Sequence, residues 1–526
     1  MSGWMEHLVV VPVVLPLAAG ALILLFDEGR QILRATIGVT ATLLLIVAAI
    51  ALLRLADVPA TQVYRLGGWP APFGIVLVAD RLSTLLVLLA SVLGLAALVF
   101  SLARWHRAGP RFYSLILFLL MGVNGAFLTG DLFNLFVFFE VFLAASYGLA
   151  LHGSGPTRVR ESLHYIAVNL TASLLFLLGA SLIYGVTGTL NMADLALRVP
   201  AVAVGDRALL EAGAALLGIA FLVKAGMWPL CFWLPGTYAA AGAPVAALFA
   251  VLTKVGVYAV LRVWLLVFGD GAGASAGFGG DWLFAGGMIT LAFGVAGVLA
   301  SQELPRLAAY GLLVSSGTLL AAVGAGQAAV TGAALYYLVA STLGAGAFFL
   351  LIELIERGRE PGADMLAVTA EAFGALGDDD AAPEEEVGIA IPATWTLLGL
   401  SFAACALLLA GLPPLPGFVA KVALLAALLH PSPIPAATGW GMLAMLTLSG
   451  LATIIATSRA GIRIFWASPE RREPRVRVIE MAPVAVLLGL SLALTVAAGP
   501  AMRYMDDTAR ALHAPRGYIE QVLPRS

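Results

Sequence analysis

The sequence has few charged residues. They make up 11% of the 526 positions, against about 25% in an ordinary soluble domain. Apolar residues make up 61% and the mean hydropathy is +0.98. This composition excludes a chain of several soluble domains, and the net charge of −2 excludes the basic surface that a nucleic-acid partner needs. It indicates a membrane protein with many spans.

Cysteine is also rare. Only Cys231 and Cys405 occur, each in apolar surroundings, so the chain has no disulfide framework, CxxC pair or iron–sulfur ligand set. The glycine-rich stretch "GAGASAGFGG" has no preceding strand and no following lysine, so it is a flexible connection and not a phosphate-binding loop. We therefore expect no cofactor, no bound metal and no nucleic-acid partner.

Long apolar segments dominate what remains. A membrane-spanning helix needs about 20 mostly apolar residues, and fourteen such segments are predicted, which makes the fold an all-α polytopic membrane protein. The predicted spans are 7–26, 33–54, 82–103, 112–129, 131–151, 162–185, 208–227, 244–266, 282–301, 306–327, 330–355, 392–430, 437–457 and 483–502.

Prolines interrupt two of these spans. The twelfth contains "GLPPLPGF" and the seventh runs into Pro229, and proline removes a backbone donor and clashes with the preceding turn. Broken helices 7 and 12 at equivalent places indicate two inverted repeats. We therefore divide the chain into N-terminal helices 1–3 (1–110), a first repeat of helices 4–8 (111–275), a second repeat of helices 9–13 (276–465), and helix 14 with a tail (466–526).

Arginine is concentrated in alternate loops between the spans. Positive loops face the cytoplasm, which places both termini outside a bacterial inner membrane and requires an even number of spans. Residues 55–81 are predicted to form a short outer hairpin, and the acidic segment 357–388 a solvated loop. The arginines that set the orientation are Arg104, Arg107, Arg111, Arg158, Arg160, Arg306, Arg357, Arg359, Arg459, Arg463, Arg471, Arg472, Arg475 and Arg477.

Lysine is the scarcest basic residue, with only Lys224, Lys254 and Lys421, all inside apolar spans. Lys254 follows Pro244 by ten residues, or about 15 Å of helix, which is near the middle of a core about 30 Å thick. Glu140 has a similar depth on the fifth span. Arginine stays charged, whereas a buried lysine can release its proton, so this set predicts a proton relay. Lysines that snorkel to the interface and buried pairs that only fix packing are the structural alternatives.

Several motifs carry a family resemblance. "DLFNLFVFFEVFLAASYGLALHG", "GVTGTLNMADLA", "KAGMWPLCFWLPGTYAAAGAPVAALFAVLTKVGVYAVLR" and "GLPPLPGFVAKVALL" resemble the proton-translocating antiporter family. That family contains the antiporter-like subunits of respiratory complex I and the large subunits of Mrp multisubunit Na+/H+ antiporters, and the phrases are most similar to the Mrp D subunits. The resemblance covers roughly residues 80–465.

The resemblance implies roles for the buried charges. Glu140, Lys224, Lys254 and Lys421 match the protonatable groups of the fifth, seventh, eighth and broken twelfth helices, which the family joins laterally through water. Relatives often have a histidine on the eleventh helix where this sequence, "YYLVAST", has Ala340. The link from Lys254 to Lys421 is then expected to use water and nearby polar groups, namely Ser315, Tyr336, Ser341 and Thr342, and His164 is a candidate for the cytoplasmic access path.

Three functions follow as hypotheses. The first is a secondary transporter subunit, not an enzyme, which translocates protons in exchange for Na+ together with the A, B, C, E, F and G subunits of an Mrp complex. The second is an antiporter-like subunit of a redox-driven assembly of the complex I or membrane-bound hydrogenase type, because its driving subunits would be other chains. The third is a membrane scaffold with inactive lysines.

Overall fold

The fold is described from a computed structural model of the chain. The structure describes residues 6–27, 29–57, 61–105, 111–153, 155–357, 393–429, 436–465, 474 and 476–523. Within these ranges the chain is almost entirely helical. The acidic loop predicted at 357–388 lies outside the described residues except for Arg357, which caps the C-terminal end of a helix.

The described residues form nineteen α-helices. Twelve helical segments are long and apolar enough to cross a membrane, and three shorter ones are apolar, so the prediction of an all-α multi-span membrane protein is confirmed. The count of fourteen spans and the inverted repeats stay predictions. The helices are α1 (Val11–Leu24), α2 (Gln31–Ala56), α3 (Arg81–Ser101), α4 (Phe112–Leu128), α5 (Leu132–Ala150), α6 (Pro156–Thr187), α7 (Met192–Arg198), α8 (Val204–Ala225), α9 (Trp233–Ala240), α10 (Ala243–Val267), α11 (Gly280–Ala300), α12 (Leu304–Gly324), α13 (Ala328–Glu356), α14 (Ala393–Ala410), α15 (Pro416–Leu429), α16 (Ala436–Phe465), α17 (Val478–Val496), α18 (Ala498–His513) and α19 (Arg516–Val522).

The predicted hairpin between the second and third spans is confirmed. Strand β1 (Gln62–Arg65) pairs antiparallel with β2 (Val76–Ala79). All four residues of β2 are buried, because the hairpin folds down onto the helices. Both ends of the described chain reach this face: the His7 ring contacts the Tyr64 hydroxyl at 3.3 Å, and the Tyr504 hydroxyl donates to the Arg81 carbonyl at 3.0 Å.

Helix α10 is the centre of the bundle. Every residue of its 18-residue apolar window is buried, and it packs against α3, α8, α12 and α13. Its contact with α8 is made by backbone, since a Cβ added at Gly256 would lie 2.4 Å from the Ala225 nitrogen. Glycine is needed there for the two helices to approach so closely.

Both predicted helix breaks are present. The seventh span divides into α8 and α9, and the twelfth into α14 and α15. Each first half ends at a glycine in the left-handed region, Gly226 and Gly411, both with φ of 74°, a conformation that glycine adopts without steric cost. After the second break the helix resumes at Pro416, the first residue of α15. Proline fits there because the first turn of a helix does not use its backbone N–H groups.

The predicted C-terminal boundary of the last span, 483–502, is wrong. Helix α17 stops at Val496, and a separate helix, α18, follows from Ala498. Helix α18 carries Arg503, Asp506, Asp507 and Arg510, and it packs across α13. A hydropathy window does not separate the two because the first turn of α18 is still apolar.

Candidate functional site

All three lysines are buried inside the helix bundle. The exposed fractions are 5% for Lys224 on α8, 0% for Lys254 on α10 and 8% for Lys421 on α15. Snorkelling would bring the amines to the surface, so this alternative is excluded for these conformations. Glu140 on α5 is half-buried. A charge removed from water must find polar partners, and the partners define the site.

Two side chains of α6 connect Glu140 with Lys224. The Ser173 hydroxyl donates to Glu140 Oε1 and also reaches the Asn169 carbonyl at 3.1 Å. The Lys224 amine donates to Asn169 Oδ1 at 3.2 Å. Among the described ion pairs none joins Glu140 directly to Lys224, although the carboxylate is close enough to act on the amine electrostatically. The two charged groups are therefore linked only indirectly, by a bridge of two α6 residues: Ser173 binds Glu140 and the Asn169 main-chain carbonyl, and the Asn169 side chain binds Lys224.

The sequence reasoning missed this bridge. Asn169 is held by its own donor, because Nδ2 bonds the Tyr165 carbonyl at 2.9 Å, which points Oδ1 towards Lys224. The Phe139 ring lies 5.8 Å from the same amine, within the range of a cation–π contact. The available signal was the phrase "VNLTAS" on the sixth span, with Asn169 and Ser173 four residues apart on one helical face.

Lys254 has a different kind of partner. Its amine donates to the Ser315 hydroxyl on α12 at 2.8 Å, and Ser315 shares a hydrogen bond of 2.9 Å with Ser341 on α13. The structure thus brings together three residues that were predicted from the sequence. Each hydroxyl can donate or accept, so the chain of hydrogen bonds can be reversed without moving a helix.

A small cavity continues from these serines towards the second helix break. Its volume is about 30 Å³, and its lining includes Ser315, Tyr337 and Ser341 together with Gly417 and Thr453. A single water needs roughly 10–15 Å³ on this measure, so one or two waters fit. Thr453 also donates to the Ser449 carbonyl at 2.8 Å, which joins the cavity to the surroundings of Lys421.

Lys421 is bound to the break itself. Its amine donates to the Ala410 carbonyl at 2.8 Å and to the Ser449 hydroxyl at 3.3 Å. The Ala410 carbonyl is free because the chain leaves the helix at Gly411, and a Cβ on Gly411 would lie 2.7 Å from Lys421 Cδ. The chain is therefore unwound beside Lys421, and polar atoms of the break and of α16 bind its amine.

The other predicted supporting residues lie elsewhere. The Tyr336 hydroxyl donates to the Leu494 carbonyl at 3.0 Å, on another side of α13, and its neighbour Tyr337 lines the cavity instead. Thr342 bonds the Leu338 carbonyl of its own helix. His164 is exposed on α6. At the position of the missing histidine, Ala340 is fully buried and contributes no polar atom.

A second polar cluster lies at the opposite face from the hairpin, where the arginines were expected. Arg357 pairs with Glu353 at 2.5 Å and with Glu480 at 2.6 Å, and Glu353 accepts from Trp105 Nε1 at 2.6 Å. His152 donates from Nε2 to the Trp105 carbonyl at 3.1 Å. Burial lowers the pKa of His152 below its usual 6.5, and the positive charge of nearby Arg158 also lowers it. This cluster ties four segments together at one face.

The arrangement is suited to moving protons. It contains one carboxylate, three amines and intervening hydroxyl and amide groups, in segments Glu140–Ser173–Asn169–Lys224 and Lys254–Ser315–Ser341–cavity–Lys421. The lysines are bonded to neutral acceptors and to no carboxylate among the described ion pairs. A neutral partner accepts a hydrogen bond from either protonation state of an amine, so no fixed ion pair holds the proton.

Comparison with known proteins shows which chains this one is similar to. The family described as "NADH:quinone oxidoreductase/Mrp antiporter, TM" matches residues 129–373. A protein of Rhizobium meliloti named as the D subunit of a "Probable K(+)/H(+) antiporter" is 59% identical over 99% of this chain and 98% of its own length. The D subunit of the Na(+)/H(+) antiporter of Alkalihalophilus pseudofirmus is 35% identical over 99% of this chain and 100% of its length. A chain in the structure of the Mrp complex from Dietzia sp. DQ12-45-1b superposes with a TM-score of 0.82 at 26% identity, covering 99% of this chain and 100% of that one.

Proposed function

The chain belongs to the D subunits of Mrp-type Na+/H+ or K+/H+ antiporters, and we propose from this premise that it carries protons through Glu140, Lys224, Lys254 and Lys421. Glu140 and Lys224 form the first station, linked by Ser173 and Asn169. Lys254 passes protons through Ser315 and Ser341, and Lys421 exchanges them at the break in the twelfth span.

One observation carries the proposal: the chain's only three lysines are all buried, and each amine bonds neutral oxygen atoms. Lysines kept for packing would gain most from a carboxylate, because an unpaired buried charge is costly. Lysines that must change protonation state gain from partners that tolerate both states. The permanent positive charge of arginine would not serve, since its proton is not released.

Proton movement is proposed to be coupled to the export of a monovalent cation by the complete antiporter. The resemblance seen in the sequence favours Na+, and the 35% identical relative is named for Na+/H+ exchange. The 59% identical relative is named for K+/H+ exchange, which makes K+ the second candidate. We propose that the chain works in a bacterial inner membrane, with both termini outside, in a complex with the A, B, C, E, F and G subunits of the Mrp system.

A redox-driven role is the competing proposal, since the matching family also includes NADH:quinone oxidoreductase subunits. In that case electron transfer in a partner chain would drive the same proton steps. Antiport in vesicles separates the two, because a cation gradient alone drives exchange in an antiporter and needs no electron donor.

The test uses the full complex in vesicles that lack other antiporters. Glu140→Ala, Lys224→Ala, Lys254→Ala and Lys421→Ala are each measured for proton movement after addition of Na+ or K+. We expect each to abolish exchange while the complex assembles. Glu303→Ala is the matched control, because the Glu303 side chain is 69% exposed. Wild-type exchange in any of the four would remove that residue from the relay, and wild-type exchange in all four would leave only the scaffold hypothesis.

A further inference from the structure

A buried ion pair lies at the end of α10 nearest the hairpin, outside the proposed relay. Arg262 Nη1 lies 2.6 Å from Asp80 Oδ2, and Arg262 Nη2 donates to Asp80 Oδ1 at 2.8 Å. The exposed fractions of the two side chains are 4% and 16%. Asp80 is itself fixed just before α3, because its Oδ1 also accepts from the Ser83 backbone N–H at 2.9 Å. The guanidinium is therefore held in one orientation by a two-point contact.

A polar chamber lies against this pair. Its volume is about 150 Å³, and its lining includes Asp80, Arg81, Arg262, Thr508 and Gln521. Gln521 Oε1 is buried with no hydrogen-bond partner among the described residues, so it needs a donor from within the chamber. Water supplies such a donor, and a polar space of this size holds several waters. We call this space the hairpin chamber, because Asp80 directly follows strand β2.

The relay lies further along the same helix. Lys254, Tyr258 and Arg262 are spaced four residues apart, so they follow one another along one face of α10. Eight residues place Arg262 about 12 Å from Lys254 along the helix axis. On α10 the chamber is lined by Arg262 and by Leu266, one turn beyond it, whereas Tyr258 is buried and its hydroxyl accepts from Arg262 Nε at 3.3 Å. Arg262 and Tyr258 thus separate the chamber from Lys254 along this face.

Neither of these two side chains can pass a proton inward in this arrangement. A guanidinium has N–H donors and no acceptor, and it does not lose its proton in proteins, so a proton on chamber water finds no acceptor on Arg262. The hydroxyl proton of Tyr258 is donated to the Phe127 carbonyl at 2.7 Å. A proton wire needs groups that can both accept and donate, as Ser315 and Ser341 can. A fixed arginine charge also repels protons and other cations in a pore.

Aromatic rings hold the guanidinium from two further sides. The Tyr518 ring on α19 lies 5.2 Å from Arg262 Cζ, and the Tyr258 ring lies 5.5 Å from it, both within the range of a cation–π contact. A pair kept only for packing could be replaced by apolar side chains, often without loss of stability. A fixed charge between a space that holds water and a protonatable lysine has a further use.

We propose that Arg262, positioned by Asp80, is a barrier that keeps protons of the hairpin chamber from reaching Lys254. Such protons would enter the relay without cation exchange and dissipate the gradient that the antiporter uses. Arg262 thus excludes protons and does not carry them. The proposal rests on the proposed function, since it takes Lys254 to be a member of the relay.

The passive proton leak of the full complex in sealed vesicles tests the proposal. The vesicles contain choline thiocyanate, so that neither Na+ nor K+ is present and the permeant anion balances the charge. A step of pH is applied, and the internal pH is followed with a dye. We expect the double variant Asp80→Asn, Arg262→Gln to leak several-fold faster than wild type, because glutamine both donates and accepts. This variant leaves no unpaired buried charge, and asparagine can still cap α3.

Two further variants show where the protons pass. Arg81→Gln is the matched control, because Arg81 lines the same chamber and carries the same charge but pairs with other carboxylates; it should leak no faster than wild type. Adding Lys254→Ala to D80N/R262Q should return the leak to the wild-type rate, whereas a leak caused by a general packing defect would persist.

The outcomes separate the barrier from the relay. A wild-type leak in D80N/R262Q, or a faster leak that persists after Lys254→Ala is added, would overturn the barrier. The relay would still stand if Lys254→Ala alone abolished exchange. Wild-type exchange in Lys254→Ala would overturn the role of this lysine in the relay and the barrier with it.

Discussion

Replacing Asn169 with leucine should disconnect Lys224 from Glu140. Leucine has the same branching and number of side-chain heavy atoms as asparagine but cannot accept the hydrogen bond that the Lys224 amine donates at 3.2 Å. A hydrogen bond to a charged group contributes about 1.5–3 kcal/mol, and about 1.4 kcal/mol corresponds to a tenfold change in an equilibrium. If occupancy of the bridged state limits transfer, exchange should fall roughly 10- to 100-fold.

The measurement is the initial rate of proton movement in vesicles, normalised to the amount of assembled complex. Thr171→Val is the control, because Thr171 is exposed on the same helix and bonds only the Ala167 carbonyl. A second measurement uses Ser173→Ala, which removes the hydroxyl at Glu140. If Asn169 and Ser173 act as one bridge, the double variant should lose no more than N169L alone, whereas independent groups would give multiplied losses.

Two results would refute the bridge. An N169L complex that exchanges ions within about twofold of wild type would show that the contact contributes far less than the expected value of about 1.5–3 kcal/mol. Multiplied losses in the double variant would show that the two side chains act on separate steps.

The remaining predictions concern the second half of the relay and the face opposite to the hairpin. Lys254→Arg should abolish exchange although the positive charge remains, because arginine does not release its proton; exchange at the wild-type rate would make this group a fixed charge. Gly411→Ala should lower the melting temperature and the exchange rate, because left-handed backbone costs an alanine about 1–2 kcal/mol and the new Cβ would lie 2.7 Å from Lys421 Cδ. Gly489→Ala is the control, since a Cβ there would have no neighbour within 4 Å. Equal melting temperatures for the two variants would contradict the argument. Because burial lowers the pKa of His152, the unfolded chain binds the proton more tightly than the folded chain, and stability is lost as pH falls below about 6.5. His152→Asn should therefore flatten the dependence of melting temperature on pH. An unchanged slope in this variant would contradict the role of His152.

The sequence predicted the helical fold because lipid imposes a simple rule. Each span must be long and apolar, so hydropathy located the helices, and prolines located the breaks before α9 and α15. The end of the fourteenth span was wrong because α18 begins with apolar residues and becomes polar only after one turn. Windows of about 20 residues average over such a change.

The charged members of the site were also accessible from the sequence, because an ionisable residue in a long apolar run stands out. The neutral members were not. Asn169 and Ser173 resemble any polar residue on a span until packing brings them to Glu140 and Lys224. Tyr336 and Tyr337 are neighbours separated by about 100° around a helix, and only the packing of α13 decides which of them meets the cavity.

The backbone contact between α8 and α10 has a mechanical consequence. With Gly256 against Ala225, these two helices share no flexible side-chain layer, so they cannot slide past each other without opening an empty space, which a packed interior resists. We expect them to move as one stiff body. We then expect a proton path to either surface to open by movement of the segments between α8 and α9 and between α14 and α15. Helical hydrogen bonding is already interrupted in these segments, at Gly226 and Gly411. The lysines would keep fixed spacing while the ends of the path move.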